Sequence, residues 1–324
     1  MAKKIILITG GLGYLGGRAA LAFSKNPNYA LRLGAYSTND RNYPEWTKNN
    51  NLEVVKVDVS SQDSLDSACR GVDFIIHLAS LNEVDSFANP QKALLVNTLG
   101  TLKLIEAAQN AKVKRLAYLS TIHVYGAPIF GTITEGTLTC PRHVYAITHR
   151  AAEDFVIAAS LEKRLPGIVL RPANGFGVPA DPFINRWKLI VNDLCRQAVT
   201  TQKLVLNSSG QQSRNFITLT DIIRAIEYVL FLPMDQCGNG IFNVAGEKST
   251  SAFELATIIA SRCKEILGFI PPIQRQQPQK NEVIERLDYR LDKLKATGFL
   301  LLSNFNEEID ATLRFCKEYF KNDK

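Results

Sequence analysis

Three glycines near the start of the chain lie at a spacing that can bind phosphate. Gly10, Gly13 and Gly16 form a G-x-x-G-x-x-G pattern. Glycine permits a tight turn and lets backbone N–H groups approach an anion closely, and a helix N-terminus attracts negative charge. We therefore expect a pyrophosphate to bind to this loop.

A buried strand before the loop and a helix after it must position these glycines. Ile5 to Ile8 form a short apolar run that is typical of strands buried on both faces of a parallel sheet. From Leu15 the residues become small and apolar, which favours a helix packed closely on a sheet. A plain tight turn is the alternative for glycines alone, and the flanking elements favour the phosphate loop.

Further strands and helices alternate along the chain. Apolar runs predict strands at 30–36, 52–59, 72–78 and 115–120, with helices at 61–70 and 91–110. Ser60 or Ser61 can cap the helix that follows the third strand. The alternation predicts an α/β fold, a Rossmann-type doubly wound parallel sheet.

The pattern changes at Arg171. The segment RPANGFGVPADPF is rich in glycine and proline and indicates a loop that leaves the sheet. We expect residues 1–170, together with 215–245, to form the nucleotide-binding domain. Residues 171–324 are expected to form mainly a smaller, interleaved α/β part that binds substrate. Shorter runs predict a helix at 187–198, a strand at 215–220, a helix at 221–230 and a strand at 241–244.

Composition narrows the class of protein. The chain has 324 residues, of which 46% are hydrophobic and 21% charged, as is ordinary for a globular protein. The net charge of +7 is spread without a basic block, so small anionic ligands suit the protein better than nucleic acid. The sequence shows no membrane-length apolar run, no signal peptide and no C-x-x-C pair among its six cysteines. We expect a cytoplasmic protein without membrane association or structural zinc.

The end of the second predicted strand bears on the choice of cofactor. A dinucleotide fold places an acid there to bind the adenosine ribose of NAD, or a basic residue for a 2′-phosphate. Here the chain reads Gly34 to Thr38 without an acid. Ser37 and Arg41 could meet a 2′-phosphate or could only form a solvated loop. We expect NAD or NADP, with a slight preference for NADP.

The chain resembles the extended short-chain dehydrogenases/reductases, the family of nucleotide-sugar epimerases, dehydratases and 4-keto-reductases. The similar segments occur in the family's order and cover most of the chain. They are TGGLGYLG (9–16), VDVSSQDSL (57–65), VDFIIHLAS (72–80), VNTLGT (96–101), YLSTIHVYG (118–126), VYAITHRAAED (144–154), RPANGFG (171–177), SRNFITLTDI (213–222) and IFNVAG (241–246).

The resemblance implies a catalytic pair of hydroxyl groups, Thr121 and Tyr145. In the family, such a pair acts on a sugar carbinol or ketone while a nicotinamide takes or returns hydride. A phenol with a pKa near 10 is a poor base at neutral pH, and a nearby cation lowers that pKa by about one to three units. The family's cation is a lysine four residues after the tyrosine, where this chain has His149, which is mostly neutral at pH 7.

This departure leaves three alternatives for His149. The side chain binds the nicotinamide ribose and supports Tyr145 less strongly than lysine would, or the redox function is weakened or lost. A surface position on a helix is the third alternative.

Three of the four histidines, His123, His143 and His149, fall in this stretch. Where the family's dehydratases carry Asp and Glu after the catalytic threonine, this chain has Ile122 and His123, so we do not expect a dehydratase. A related group carries a proton-transferring cysteine at the His123 position, so His123 could serve as an acid/base on the sugar. The family's 4-epimerases, in contrast, carry a residue without a chemical role there. No Cys/His/Asp set has metal-ligand spacing. His77, inside a strand, is expected to be a core histidine.

Further site residues follow from the resemblance. Asn174 matches a contact to the sugar-nucleotide diphosphate, and Arg214 matches a basic residue that holds it, although Arg214 could instead form a surface salt bridge. Asn97 occupies a position that the family uses to order the active site. The expected cofactor contacts lie on the glycine loop, the strand ends and the catalytic helix: Gly10, Gly13, Tyr14, Leu15, Gly16, Ser37, Arg41, Asp58, Val59, Leu78, Ala79, Ser80, Asn97, Tyr145, His149 and Pro172.

One face of the helix predicted at 91–110 could form contacts between two copies of the chain. Leu94 and Val96 on the helix at 91–110, with the helix after Tyr145, resemble the face through which the family dimerises as a four-helix bundle. We expect a homodimer, although the same residues could be core against the sheet.

The main hypothesis is an NAD(P)-dependent nucleotide-diphosphate-sugar epimerase that transiently oxidises a sugar hydroxyl. An NADPH-dependent nucleotide-sugar 4-keto-reductase is the alternative within the family. A non-catalytic NAD(P)-binding sensor is an alternative of another class, motivated by the missing lysine and the missing acid. Retention of Thr121, Tyr145, Asn97, Asn174 and Arg214 argues against the sensor, which needs only the cofactor half.

Overall fold

The structure, a computed structural model, describes residues 2–36, 43–282 and 284–321. Its strands in chain order are β1 (Lys4–Thr9), β2 (Tyr29–Ala35), β3 (Leu52–Lys56), β4 (Phe74–His77), β5 (Arg115–Leu119), β6 (Gly131–Ile133), β7 (Gly167–Pro172), β8 (Asn174–Phe176), β9 (Leu204–Val205), β10 (Ser213–Thr218), β11 (Ile241–Val244), β12 (Ser249–Ser251), β13 (Ile273–Gln274) and β14 (Leu287–Tyr289).

The helices alternate with these strands. They are α1 (Tyr14–Phe23), α2 (Gln62–Cys69), α3 (Glu83–Ala88), α4 (Pro90–Ala93), α5 (Gly100–Asn110), α6 (Val144–Leu161), α7 (Ile190–Thr200), α8 (Leu219–Phe231), α9 (Ala252–Leu267), α10 (Asp292–Ala296) and α11 (Phe305–Phe320). Short 3₁₀ turns lie at Glu45–Thr47, Ile122–Tyr125 and Met234–Gln236. No helix in the described part of the chain is long and apolar enough to span a membrane.

Seven strands form the main sheet, in the order β11-β7-β5-β4-β1-β2-β3. The pairs from β3 to β7 are all parallel. This arrangement confirms the Rossmann-type fold that the alternation predicted. Because β1 lies between β2 and β4, the strand order reverses beside β1. Ligands of such sheets bind at this reversal, outside the carboxyl ends of the strands.

The described chain divides into two compact units. The first comprises Met1–Ala127, Thr137–Pro172 and Ile223–Phe242, and the second comprises Pro128–Gly136, Ala173–Ile222 and Asn243–Lys324. The sequence assigned 215–245 as a whole to the nucleotide-binding part. The strand β10 lies in the second unit, because it pairs with β8 and β12 in a separate three-stranded sheet.

Each unit has its own apolar core. In the first unit, Leu7, Ile75 and Leu116 are fully buried, each on a different strand of the sheet. In the second unit, Leu194 of α7 and Leu255 of α9 belong to the core. Full burial of such a side chain stabilises a fold by about 1.5–3 kcal/mol. The sheet is thereby a rigid base for the loops at its carboxyl edge.

The helix predicted over 91–110 contains a change of winding. Between α4 and α5 the residues Leu94–Leu99 form a π-helical segment. Asn97 is the buried residue of this segment and is 1% exposed. Single π-helical turns inside α-helices occur frequently at functional sites, because they redirect a side chain without ending the helix.

Candidate active site

The glycine loop makes the close backbone contacts that its spacing predicts. Gly10 has φ +68°, a conformation that favours glycine. A Cβ on Gly16 would lie 2.1 Å from the Gly10 carbonyl oxygen, so α1 starts directly against the turn. The N-cap of α1 is Gly13, and no side chain caps the helix. Among the described residues, the N–H groups of Leu15 and Gly16 in the first turn of α1 have no side-chain cap, which fits a pyrophosphate.

The ends of the neighbouring strands lie around this loop. A Cβ on Gly10 would approach the backbone N of Ala79 to 3.1 Å, which places the loop against the carboxyl end of β4. Beyond β3, the Asp58 carboxylate accepts hydrogen bonds from Ser60 N (2.9 Å) and Ser60 Oγ (2.6 Å). The hydrogen bond from the Ser60 side chain is the main reason that the pKa of Asp58 is lowered, so the Asp58 carboxyl group is an anion at neutral pH.

The remaining predicted cofactor residues occupy varied environments. Tyr14, Val59 and Pro172 are buried, whereas Ser80 is exposed. Ser37 and Arg41, the predicted contacts to a 2′-phosphate, lie outside the described residues.

A buried hydrogen-bond network under the glycine loop includes His77. Thr9 Oγ1 accepts bonds from the backbone N–H groups of Leu78 (3.1 Å) and Ala79 (3.2 Å), so its own proton goes to His77 Nδ1 at 2.6 Å. His77 Nε2 then carries the ring proton and donates to Thr101 Oγ1 at 3.0 Å. His77 is 1% exposed, and burial lowers its pKa to about 4. It is the neutral core histidine that the sequence predicted.

The π-helical segment continues this network towards Tyr145. Thr101 Oγ1 donates to Asn97 O at 2.6 Å, and Asn97 Oδ1 accepts from Leu81 N at 2.7 Å. Asn97 Nδ2 donates to Thr148 Oγ1 at 3.0 Å. The Thr148 hydroxyl in turn donates its proton to Tyr145 O at 3.0 Å. Asn97 thus connects the end of β4 with the first turn of α6. These bonds link Asn97, through Thr148, to the backbone of Tyr145.

The start of α6 carries Tyr145 among histidine rings. His143 caps the helix: the backbone N–H of Ala146 donates to His143 Nδ1 at 3.3 Å. The rings of His143 and Tyr145 stack with centroids 6.2 Å apart, and His149 lies edge-on to Tyr145 at 4.4 Å. Tyr145 is half-buried. No pattern in the sequence indicated that His143 caps this helix.

Thr121 and His123 lie on the turn that follows β5. Thr121 Oγ1 accepts a bond from His123 N at 3.2 Å and so caps the 3₁₀ turn Ile122–Tyr125. The His123 ring centroid is 6.5 Å from that of Tyr145 and 5.4 Å from that of His143. The structure therefore brings together Thr121, His123 and Tyr145.

A buried ion pair fixes the turn against α6. Arg171 of β7 forms a bidentate pair with Glu153 of α6, at 2.9 and 2.7 Å, and donates to Tyr125 Oη at 2.8 Å. Burial alone would lower the pKa of Arg171, but the bonds and charge of Glu153 raise it above its ordinary value. Sequence reasoning did not find this pair, because residues 18 positions apart show no local pattern.

His149 is buried rather than exposed on the helix surface. Its ring is 2% exposed, and its Nδ1 lies 2.7 Å from Tyr118 Oη. Its Nε2 is buried without a hydrogen-bond partner among the described residues. Burial, with smaller contributions from His77 and His123, lowers the pKa of His149 to about 3. The alternative of a surface helical residue is therefore wrong.

These features fit a dinucleotide. Gly10 and Gly16 let the loop and the start of α1 pack with their backbones in close contact, where a side chain would collide with backbone atoms. The Nε2 of His149, buried and without a partner among the described residues, suits a ribose hydroxyl. No cluster of three or more His, Cys, Asp or Glu side chains within the described ranges could hold a metal ion.

The predicted substrate residues belong to the second unit. Asn174 on β8 donates from Nδ2 to Asn215 O of β10 at 2.8 Å. Arg214 on β10 is exposed, and its Nη2 donates to Gln212 Oε1 at 3.2 Å. Within the described part of the chain Arg214 has no carboxylate partner, so the alternative of a surface salt bridge is not realised there.

Comparison with known proteins identifies relatives over nearly the whole chain. Human dTDP-D-glucose 4,6-dehydratase is 25% identical over 336 residues, which covers 98% of this chain and 91% of the human protein. UDP-glucuronic acid 4-epimerase from Bacillus cereus in complex with NAD has a similar fold, with a TM-score of 0.82, 21% identity and coverage of 99% and 98% of the two chains. UDP-N-acetylglucosamine 4-epimerase from Methanobrevibacter ruminantium M1, in complex with UDP-N-acetylmuramic acid, has a TM-score of 0.78 at 24% identity, over 97% and 98% of the chains.

The match to a family covers most of the first unit and the middle of the chain. Residues 6–245 match the model of the NAD dependent epimerase/dehydratase family. The matched range contains the glycine loop, Thr121 and Tyr145, whose positions in the structure are those described above. The protein belongs to the NAD dependent epimerase/dehydratase family.

Proposed function

We propose that the protein is an NAD(P)-dependent nucleotide-diphosphate-sugar epimerase, which inverts a sugar carbon by transiently oxidising its hydroxyl. The observation that carries the proposal is the convergence of the glycine loop, Thr121 and Tyr145 at the carboxyl edge of one parallel sheet. The family membership and the likeness in fold to 4-epimerases support it.

In this proposal Tyr145 takes the proton of the reacting sugar hydroxyl, and Thr121 hydrogen-bonds the same oxygen. When bound, a nicotinamide supplies the acceptance and return of hydride. His149 hydrogen-bonds the nicotinamide ribose through Nε2, the buried atom that lacks a partner among the described residues. His123, next to Tyr145, is a second candidate for proton transfer to the sugar.

The chain's own residues favour epimerisation over dehydration. Although a relative is a 4,6-dehydratase, the two positions after Thr121 hold Ile122 and His123 rather than carboxylic acids. Ile122 is buried and has no group that transfers a proton. The carboxyl pair that eliminates water in the resembling dehydratases is therefore missing.

The cofactor is NAD or NADP. The end of β2, at Ala35 and Tyr36, carries no acid for an adenosine ribose, which favours NADP slightly. The B. cereus neighbour binds NAD, which keeps NAD as the competing choice. Arg214 and Asn174 are proposed to hold the diphosphate of the sugar nucleotide, since an exposed guanidinium can pair two phosphate oxygens.

The experiment that tests the proposal identifies what the protein carries and what it converts. The purified protein is denatured, released nicotinamide and nucleotide sugar are identified by mass spectrometry, and UDP-sugars are then assayed for 4-epimerisation. Tightly bound NAD with interconversion of two epimers supports an epimerase. Consumption of NADPH from solution with a 4-keto sugar would make the protein a reductase, and failure to bind either ligand would overturn the catalytic proposal.

We also propose a homodimer formed through α6 and the π-helical segment. Leu94 and Leu95 are half exposed, at 51% and 50%, as are Ile147 at 46% and Phe155 at 38% on α6. Leu94 and its exposed neighbours lie where the resemblance places the dimer face, whereas Val96 packs, partly buried, against the core of the first unit. Light scattering should give twice the chain mass, and the variant Leu95→Glu should give a monomer; a monomeric wild type would contradict the dimer.

A cytoplasmic location is part of the same proposal. All six cysteines are free thiols, five of them buried, which suits a reducing compartment.

A further inference from the structure

We propose that Tyr118 is a positioning residue for His149, holding its imidazole neutral with the proton on Nε2. The position four residues after Tyr145 then presents a hydrogen-bond donor without a positive charge. The catalytic consequence rests on the proposed function, whereas the tautomer itself does not.

The direction of the hydrogen bond follows from the partners of each atom. Tyr118, on β5, is 2% exposed, and its Oη lies 2.7 Å from His149 Nδ1. Within the described part of the chain, Nδ1 is the acceptor available to the Tyr118 proton. A buried phenol donates to such an acceptor rather than leave its proton unpaired. Nδ1 therefore accepts, and a neutral imidazole that accepts at Nδ1 carries its proton on Nε2.

The surroundings of the ring oppose protonation. The titratable groups that face it are His77 from β4, Tyr118 from β5, His123 from the 3₁₀ turn and Tyr145 from its own helix. A histidine ring carries no negative charge, and burial raises the pKa of Tyr118 well above its ordinary value. Glu153, whose charge acts on Tyr118, is held in a buried ion pair with Arg171. His149 consequently stays uncharged through the physiological range.

A neutral donor changes what Tyr145 can do. A cation beside a phenol favours the phenolate and lowers its pKa by about one to three units, whereas a neutral N–H gives a smaller effect. The rate of proton transfer by Tyr145 should therefore still rise with pH above neutrality. His149 can nevertheless bind a ribose hydroxyl, since Nε2–H is free for that bond within the described structure.

The first test measures the tautomer directly. ¹⁵N-histidine NMR of the full chain is recorded with and without added NAD, and the His149 signals are assigned by their loss in His149→Gln. We expect the neutral Nε2–H pattern between pH 5 and 8, and a mixture of tautomers in Tyr118→Phe. An imidazolium at pH 7, an Nδ1–H pattern or a Tyr118→Phe spectrum equal to the wild type would overturn the proposal, whatever reaction the protein catalyses.

The second test asks whether Tyr118 acts through His149. The pH profiles of kcat and the binding of NAD are measured for Tyr118→Phe, His149→Lys and the double variant. We expect Tyr118→Phe to weaken NAD binding about two- to tenfold, as loss of a well-oriented hydrogen bond would. His149→Lys should move the rising limb of kcat to lower pH by about one to three units.

The double variant is the control. Because a lysine has no tautomer to fix, Tyr118→Phe should leave NAD binding unchanged in the His149→Lys background. Additive effects would show that Tyr118 acts independently of His149 and would overturn the positioning role. Absence of epimerase activity in the wild type, with the expected NMR pattern, would instead contradict the proposed function alone.

Discussion

His77 and His149 occupy two buried regions of the same unit and differ in one respect. Both rings are at most 2% exposed, and burial lowers the pKa of both, to about 4 and about 3. Both ring nitrogens of His77 have partners, whereas Nε2 of His149 has none among the described residues. A buried polar group is costly unless it is hydrogen-bonded.

The difference separates a structural histidine from one that suits a ligand. His77 joins Thr9, at the start of the glycine loop, to Thr101 in α5, and nothing of its hydrogen-bonding capacity is left over. His149 lies beside Tyr145 and keeps one nitrogen for a partner that the chain does not provide within the described residues. His77 therefore stabilises the fold through its two hydrogen bonds, whereas the Nε2 of His149 suits the binding of a ligand.

The largest expected effect is on chemistry at the His149 region. Tyr145→Phe removes the proposed proton acceptor, so kcat for epimerisation should fall by about 10²–10⁴-fold, while the thermal midpoint stays near that of the wild type. Steady-state kinetics with the UDP-sugar found to react measure this. A kcat within a few-fold of the wild type would place the chemistry elsewhere and would favour the sensor alternative.

A matched pair of variants tests the structural contrast. His77→Phe leaves the hydroxyl proton of Thr9 without an acceptor and removes the donor to Thr101 Oγ1, and it should lower the free energy of unfolding by about 2–4 kcal/mol. His149→Phe leaves only the Tyr118 hydroxyl unpaired and removes an unpaired nitrogen, so its cost should be about 1 kcal/mol or less. Urea unfolding at pH 8 compares the two. Equal costs, or a larger cost at His149, would contradict the assignment of structure to His77.

The smallest expected effect is on the pH dependence of stability. Each histidine has a folded pKa below its unfolded value of about 6.5, so the unfolded state binds protons first as the pH falls. The contribution of each neutral histidine to the free energy of unfolding is fully present above the unfolded pKa of about 6.5. Below that pH the contribution declines by about 1.4 kcal/mol per pH unit, until the pH reaches the folded pKa of about 4 for His77 and about 3 for His149.

Acidic side chains also change the free energy of unfolding as the pH falls. Comparison of the wild type with His77→Phe and His149→Phe separates the contribution of each histidine from theirs. Between pH 6.5 and 5, the wild type should lose more unfolding free energy than either variant, by about 2 kcal/mol in each case. Identical slopes in the wild type and His149→Phe would mean that His149 titrates normally in the folded protein.

Local patterns in the sequence determined the fold. The apolar runs and the glycine spacing predicted β1, the turn at Gly10 and α1, because strand burial and backbone clearance depend on neighbouring residue types. Ser61, one of the two predicted capping candidates, caps α2 by accepting a bond from Ser64 N, since capping is decided within one turn. The Y-x-x-x-H spacing likewise placed Tyr145 and His149 one turn apart on the same helix face.

The tertiary structure alone decided what those residues contact. The partner of His149 is Tyr118, 31 positions away on β5, and the partner of Arg171 is Glu153 on α6. No periodicity connects such positions, because they meet only when the helix packs on the sheet. Protonation depends on the same packing: the sequence identifies an imidazole, and its burial together with the Tyr118 hydrogen bond decides that it is neutral and which nitrogen carries the proton.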